Sequence, residues 1–213
     1  MMHIVEFKSE GYKIHGKITQ LESSKNTNVI ILHPHPLYGG NMENHVVTTL
    51  ERIFVDEDFT TFRFDFRGAP SSPQGYSGID SAITDALNAI EFLESNKDNK
   101  YTAIVGYSFG ASTAIRLALL KPPPFLITLS ASKYLILEDG FDIAQLINIE
   151  CPTMMFHGKS DSMIPFTDLY DIAKAIRSEP IKIELLDGEG HFYQRSLPIV
   201  ESSIRDFIAT LYD

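Results

Sequence analysis

The sequence predicts an α/β fold in which helices cover both faces of a mostly parallel β-sheet. Short apolar runs rich in β-branched residues alternate with segments whose apolar residues recur at helical spacing. This alternation is typical of strands joined by right-handed helical crossovers. Residues 29–32 are continuously apolar, as expected for a strand that is buried on both faces of such a sheet. We therefore expect a single α/β domain over residues 1–213.

The predicted elements follow one another in a regular order. Residues 3–7 and 12–18 alternate polar and apolar side chains around Ser9-Glu10-Gly11, which predicts an antiparallel hairpin at an edge of the sheet. Residues 132–150 are long enough to cross over the sheet, but their pattern predicts at most one short helix, around residues 143–147, and no substantial lid domain. The other predicted strands are residues 29–32, 60–66, 101–105, 125–129, 153–156 and 181–186, and the predicted helices are residues 44–54, 81–93, 111–120, 168–177 and 198–211.

Composition and charge limit the classes of function. A chain of 213 residues with 44% hydrophobic and 22% charged residues is typical of a soluble globular protein, either a monomer or a small homo-oligomer. The net charge of -10 at pH 7 argues against nucleic acid as a partner, because binding to a phosphate backbone requires clustered Lys and Arg. No apolar run has the length of a signal-peptide core or a membrane span, so we expect a cytoplasmic protein without a membrane partner.

The most informative motif is Gly106-Tyr107-Ser108-Phe109-Gly110, which lies between a predicted strand and a predicted helix. A nucleophile elbow has this form, because its strained turn brings neighbouring backbone too close for side chains two residues before and after the serine. The turn presents the Ser108 hydroxyl beyond the carboxyl edge of the sheet. It also leaves the Phe109 N–H free at the helix start to face a developing negative charge.

A serine nucleophile requires an imidazole base, and the imidazole requires a carboxylate that fixes its tautomer. Asp161 and His191 each follow a predicted strand, so both are expected at the same edge of the sheet as Ser108. The chain order Ser, Asp, His is the order found in α/β-hydrolases. Asp187 and Asp139 are alternatives for the carboxylate.

Together, these blocks resemble the α/β-hydrolase superfamily along nearly the whole chain. The resemblance is carried by the elbow, by residues 157–165 (His-Gly-Lys-Ser-Asp-Ser-Met-Ile-Pro) and by residues 188–192 (Gly-Glu-Gly-His-Phe). Residues 33–40 (His-Pro-His-Pro-Leu-Tyr-Gly-Gly) and 65–68 (Asp-Phe-Arg-Gly) resemble a narrower group of small, lidless microbial hydrolases near the dienelactone hydrolases. The implied fold is therefore the α/β-hydrolase fold.

The resemblance also implies a mechanism and a class of substrate. Ser108 would be the nucleophile, His191 the general base and then acid, and Asp161 the residue that orients His191. The implied reaction is cleavage of a small ester, thioester, lactone or amide through an acyl-enzyme, without cofactor or metal. The partner would be a small-molecule acyl substrate, and activity should fall as the pH drops below about 6 to 7, because the base must be neutral.

The second oxyanion donor is expected from the loop at residues 33–40. Pro34 and Pro36 have no N–H, so the donor is His35, Leu37 or Tyr38. The position in the family favours His35. Side chains expected to line the substrate pocket are Leu37, Tyr38, Tyr107, Tyr134 and Phe192.

Two other functions are compatible with parts of the sequence. His33 and His35, with Asp65, could form a metal site, but a metal hydrolase would leave the serine elbow unexplained. The fold could also serve as a binding or regulatory module without turnover, although the complete Ser, Asp and His set argues against it. Arg67 could bind a substrate carboxylate or tie its own loop to neighbouring groups, and the second interpretation is favoured.

Overall fold

The structure, a computed structural model, describes residues 1–21, 24–95 and 101–212. Within them, one eight-stranded sheet has the strand order β1-β2-β4-β3-β5-β6-β7-β8. The strand β2 is antiparallel to β1 and β4, whereas the other neighbours are parallel. This arrangement confirms the predicted α/β fold. The strands are β1 (Met2–Ser9), β2 (Tyr12–Thr19), β3 (Thr27–Leu32), β4 (Thr60–Phe64), β5 (Tyr101–Tyr107), β6 (Leu126–Leu129), β7 (Thr153–Gly158) and β8 (Ile181–Leu186).

Helices cover both faces of the sheet, as the alternating pattern predicted. In β3, Ile30 and Leu32 pack in one apolar cluster with α2 and α3, whereas Val29 and Ile31 pack in a second cluster with α1 and α6. Successive side chains of a strand point to opposite faces, so a strand between two helical layers must be apolar at every position. The α-helices are α1 (His45–Asp56), α2 (Ile79–Ser95), α3 (Phe109–Leu120), α4 (Lys133–Ile136), α5 (Thr167–Ala175) and α6 (Leu197–Tyr212). In the parts of the chain that the structure covers, none of the helices has the length and apolar character needed to span a membrane.

The segment between β6 and β7 contains more helix than the sequence predicted. Instead of at most one short helix, it holds α4 and two 3-10 turns, Glu138–Gly140 and Ile143–Asn148. Side-chain caps stabilise these short elements locally, since Ser132 accepts from the Leu135 N–H and Asp142 from the Ala144 N–H. One or two turns are too short to show an apolar period, which explains why the pattern missed them. The segment forms no substantial lid and lies beside the carboxyl end of β5.

Candidate active site

Ser108 occupies a strained turn between β5 and α3. Its backbone has φ 57° and ψ -119°, a combination that a side-chain-bearing residue rarely adopts. A Cβ at Gly106 would lie 2.2 Å from the Gly110 carbonyl oxygen, and a Cβ at Gly110 would lie 2.2 Å from the Leu32 carbonyl oxygen. Both positions therefore require glycine. The turn has the structure predicted for a nucleophile elbow.

The structure brings Ser108, His191 and Asp161 into one hydrogen-bonded chain. The Ser108 Oγ lies 3.0 Å from His191 Nε2, and His191 Nδ1 lies 2.7 Å from Asp161 Oδ2. The side chains of His191 and Asp161 are only 4% and 0% exposed. A carboxylate only accepts hydrogen bonds, so Nδ1 carries the proton and the lone pair of Nε2 faces the serine hydroxyl. This tautomer is the one that can receive the serine proton.

Asp161 is held as an anion by several donors. Its Oδ1 accepts the N–H groups of Met163 and Ile164, each at 2.9 Å. The Nε2 of the buried His157 lies 3.4 Å from Oδ2 and 3.1 Å from the Ile164 carbonyl oxygen. Burial alone would raise the pKa of Asp161, but the hydrogen bonds from His157, His191 and the Ile164 backbone together lower it well below its usual range.

Neither alternative carboxylate is placed to orient His191. The Asp187 side chain is 84% exposed and pairs with Lys159 at 2.7 Å. Asp139 is exposed in the 3-10 turn Glu138–Gly140. Of the three candidates, only Asp161 contacts the His191 ring.

The loop that carries His191 is organised by a residue that the sequence analysis missed. Glu189 is buried, and its carboxylate accepts backbone N–H groups from Gly190 at 2.9 Å, Arg195 at 2.8 Å and Ser196 at 2.6 Å. Burial would raise the pKa of Glu189, but these donors lower it. On the other side, the Tyr107 hydroxyl donates to the His191 carbonyl at 2.8 Å. The main chain on both sides of the histidine is therefore fixed.

In the loop after β3, one of the three candidate oxyanion donors makes no hydrogen bond to the described residues. The Leu37 N–H donates to His35 Nδ1 at 3.2 Å, and the Tyr38 N–H donates to the His35 carbonyl at 3.1 Å. No acceptor for the N–H of His35 or of Phe109 occurs among the described residues. The His35 and Phe109 rings lie 4.7 Å apart, so these two free N–H groups belong to adjacent segments of the site.

The geometry of His33 does not fit a metal ligand. Its Nδ1 donates to the Pro34 carbonyl at 2.6 Å, and its Nε2 accepts the Phe66 N–H at 2.9 Å. Asp65 in turn accepts the Met42 N–H at 2.6 Å. Neither ring nitrogen of His33 is left with a free lone pair, which a metal ion would need.

The His35 ring is also fully engaged. Its Nδ1 accepts the Leu37 N–H, and its Nε2 lies 3.0 Å from the Tyr76 hydroxyl. In the part of the chain that the structure describes, no three His, Cys, Asp or Glu side chains are placed to hold a metal ion. These contacts indicate that His33 and His35 stiffen the loop through hydrogen bonds. They do not favour the metal site considered above.

The burial of His33 predicts that the stability of the fold depends on pH. Burial lowers the pKa of His33 from 6.5 to about 4. Between these values the unfolded chain binds a proton that the folded chain does not, so stability falls as the pH drops through this window. We expect His33 to account for a loss of about 3 kcal/mol in the free energy of unfolding between pH 7 and pH 4.

Urea unfolding of the wild type and of His33→Gln at pH 7 and pH 4 checks this expectation. The variant lacks the titrating group, so its free energy of unfolding should change less with pH, whatever its absolute stability. An equal pH dependence in the two proteins would show that His33 does not remain neutral in the fold.

Arg67 ties its loop to neighbouring elements. Its Nε donates to Asp85 at 2.8 Å, its Nη1 to Glu10 at 2.8 Å and its Nη2 to the Ser81 carbonyl at 3.1 Å. The side chain is buried and does not line the cleft beside Ser108. These contacts match the favoured interpretation of Arg67 rather than that of a substrate-binding residue.

A cleft of about 530 Å³ opens at Ser108 and His191. Four of the five predicted pocket residues line it, namely Tyr38, Tyr107, Tyr134 and Phe192, whereas Leu37 lies outside it and is 60% exposed. Leu37 is the middle residue of the 3-10 turn Pro36–Tyr38, and its side chain is exposed to solvent. Lining residues that the sequence analysis did not assign to the pocket or the catalytic machinery are Pro34, Gly39, Gly40, Asn44, Ser132, Leu135, Glu138, Met163 and Ile164.

The model of the dienelactone hydrolase family matches residues 72–205, well over half of the chain. The chain belongs to the dienelactone hydrolase family. It is therefore an α/β-type hydrolase that acts on ester bonds. The matched region contains Ser108, Asp161 and His191 but not the loop at residues 33–40.

This dienelactone hydrolase family protein is also similar to an uncharacterised relative and to solved structures. It is 28% identical to an uncharacterised protein of Rickettsia prowazekii, over 97% of this chain and 89% of the relative. An α/β serine hydrolase homologue from Coxiella burnetii is 26% identical with a TM-score of 0.85, and the match covers 96% of each chain. An α/β serine hydrolase without a lid from Xanthomonas campestris shares the fold, with 19% identity, a TM-score of 0.85 and coverage of 98% and 94%. The predicted α/β-hydrolase fold without a substantial lid is thus confirmed.

Proposed function

We propose that this protein is a serine hydrolase of the carboxylesterase type that cleaves a small ester, thioester, lactone or amide through an acyl-enzyme. The observation that carries the proposal is the hydrogen-bonded chain from Ser108 through His191 to Asp161, which opens directly onto the cleft. The order of the three side chains, and the His191 tautomer with its proton on Nδ1, are those that activate a serine hydroxyl.

In the proposed reaction, Ser108 Oγ attacks the substrate carbonyl while His191 Nε2 takes the serine proton. Asp161 stabilises the resulting imidazolium, and the N–H groups of Phe109 and His35 bind the oxyanion. His191 then gives its proton to the leaving group, which departs and leaves the acyl-enzyme. A water molecule activated by His191 attacks the acyl carbonyl, and Ser108 recovers its proton as the acid is released.

The shape of the site favours small acyl groups. The cleft is open to solvent beneath the exposed side chains of Tyr38, Tyr134 and Phe192, and its volume of about 530 Å³ suits a small molecule. Hydrolysis of p-nitrophenyl acetate, butanoate and octanoate tests the proposal. We expect turnover of the shorter esters well above the rate measured with Ser108→Ala. Equal rates for the two folded proteins would contradict the proposed function.

The role of the His35 N–H can be tested with a matched pair of variants. His35→Ala and His35→Pro both lose the imidazole ring, but only the proline variant loses the N–H. The His35 φ of -54° is compatible with proline, so the loop can keep its path. We expect kcat of the proline variant to be about 100-fold below that of the alanine variant, the typical effect of losing one oxyanion donor.

The same p-nitrophenyl esters measure this difference, and thermal unfolding shows whether both variants are folded. Equal kcat values for two folded variants would assign the second donor to another group.

A further inference from the structure

Glu138 is a carboxylate in the cleft that the proposed mechanism does not use. It is half-buried in the 3-10 turn after α4 and lines the same cleft as Ser108. Among the described residues, its carboxylate has no hydrogen-bond or ion-pair partner. Burial raises the pKa of Glu138, and the nearby Asp139 and Asp80 raise it further, whereas Arg116 acts in the opposite direction. A partly buried anion without a direct partner is unfavourable.

Arg116 and Lys133, near this end of the cleft, form their ion pairs with carboxylates other than Glu138. Arg116 donates to Asp80 at 2.7 Å and lies over the Phe141 ring, while Lys133 donates to Asp171 at 2.7 Å. No Lys or Arg is found among the cleft-lining residues in the described part of the chain. The charge of Arg116 lowers the pKa of Glu138, and its Nε and Nη1 are buried without a hydrogen-bond partner among the described residues, but neither Arg116 nor Lys133 forms a direct ion pair with the Glu138 carboxylate.

Aromatic side chains form part of the cleft wall. Tyr38, Tyr134 and Phe192 line the cleft with large exposed surfaces, whereas the buried Phe109 ring packs against His35 and Tyr76. The negative faces of aromatic rings attract cations, and such rings recognise quaternary ammonium groups that a carboxylate alone would bind poorly. Aromatic rings and one unpaired carboxylate form a site whose chemistry is complementary to a positive charge.

We propose that the cleft selects acyl esters that carry a quaternary or primary ammonium group, with Glu138 as the residue that determines this specificity. The proposal rests on the esterase function proposed above and names the substrate class of that same site. Substrates that carry a carboxylate or sulfonate at the same position are rejected, because no cation of the site can compensate their charge. The ammonium group lies against Glu138 and the aromatic rings while the ester carbonyl lies at Ser108.

Three p-nitrophenyl esters of matched length isolate the effect of charge. The acyl groups are 4-(trimethylammonio)butanoyl, its neutral isostere 5,5-dimethylhexanoyl, and 4-sulfobutanoyl. For the wild type at low ionic strength, we expect kcat/KM to be about 10-fold higher for the cationic ester than for the neutral one, and lower still for the anionic ester. A wild type that hydrolyses the neutral ester better than the cationic one would overturn the proposal.

Glu138→Gln and Asp139→Asn assign the effect to one carboxylate. Each substitution removes one negative charge from the same turn, but Asp139 is exposed and does not line the cleft. Asparagine also suits the backbone at this position, where φ is 58°. We expect Glu138→Gln to lose the preference for the cationic ester, measured as the ratio of kcat/KM for the cationic and neutral esters, whereas Asp139→Asn retains the wild-type ratio. An equal loss in the two variants would assign the preference to the general field of the protein and overturn the role of Glu138.

The same assay separates failure of this inference from failure of the proposed function. Hydrolysis of all three esters with equal kcat/KM would overturn the charge selectivity and leave the esterase intact. No hydrolysis of any of them, or of p-nitrophenyl butanoate, by the folded wild type would overturn both.

Discussion

Ser108→Ala is expected to lower kcat for ester hydrolysis by about 10⁴- to 10⁶-fold, leaving only the rate that binding and the oxyanion donors supply. The Ser108 hydroxyl lies 3.0 Å from His191 Nε2. Among the described residues, no other nucleophile is hydrogen-bonded to this nitrogen, so no other group can form the acyl-enzyme in its place. Initial rates with a saturating p-nitrophenyl ester measure the loss. Alanine removes no hydrogen bond on which the fold depends, since the Oγ contacts only His191 in the described part of the chain.

Ser162→Ala is a suitable control for this variant. Ser162 lies next to Asp161 in the acid loop but is exposed. We expect it to keep the wild-type kcat. A folded Ser108→Ala protein with more than about one-tenth of the wild-type kcat would be incompatible with a serine acyl-enzyme.

Asp161→Asn is expected to lower kcat by about 10³- to 10⁴-fold, although it changes the shape of the side chain little. An asparagine amide can present an N–H to His191 Nδ1, which would then become an acceptor. The proton would move to Nε2, and the lone pair that receives the serine proton would be lost. Steady-state kinetics of the variant measure the effect.

Asp187→Asn is the matched control, because Asp187 was a rival for the same role on sequence grounds. Its exposed side chain pairs only with Lys159 within the residues described, so the same substitution there should leave kcat unchanged. If Asp187→Asn were as damaging as Asp161→Asn, the carboxylate would have been assigned incorrectly.

The parts of the site that the sequence predicted are those with strong local constraints. Gly106 and Gly110 identify the elbow because a Cβ at either position would collide with backbone. The apolar strands fix which loops share one edge of the sheet, so the predicted convergence of Ser108, Asp161 and His191 follows from topology. The distances between these side chains agree with that expectation.

The parts that the sequence did not predict depend on contacts between distant residues. Nothing local distinguishes Glu138 from any other acidic residue of a loop, and its place in the cleft follows from how α4 and the next turn pack beside β5. The role of Glu189 depends likewise on the folded path of residues 190–196, although its position between Gly188 and Gly190 was a signal of a tight loop. Leu37 was misplaced because hydrophobicity alone does not say which side of a turn faces the cleft.

Backbone hydrogen bonds in the loop after β3 bear on the alternatives that the sequence leaves open for the second oxyanion donor. Because Pro34 and Pro36 lack an N–H, the candidate donors were His35, Leu37 and Tyr38. The sequence pattern did not distinguish among these three. Within the loop, Leu37 and Tyr38 donate their N–H groups to His35 itself. Accounting for backbone hydrogen bonds therefore favours the residue that the resemblance also favoured.

The proposed function requires Ser108 to be an activated nucleophile. Intact-mass spectrometry after treatment with a fluorophosphonate, on the wild type and on Ser108→Ala, tests it most directly. We expect one adduct on the wild type and none on the variant, because only a serine activated by His191 reacts with the reagent. A folded wild type that gains no adduct, or a variant that is labelled equally, would contradict the proposed mechanism and favour a catalytically silent fold.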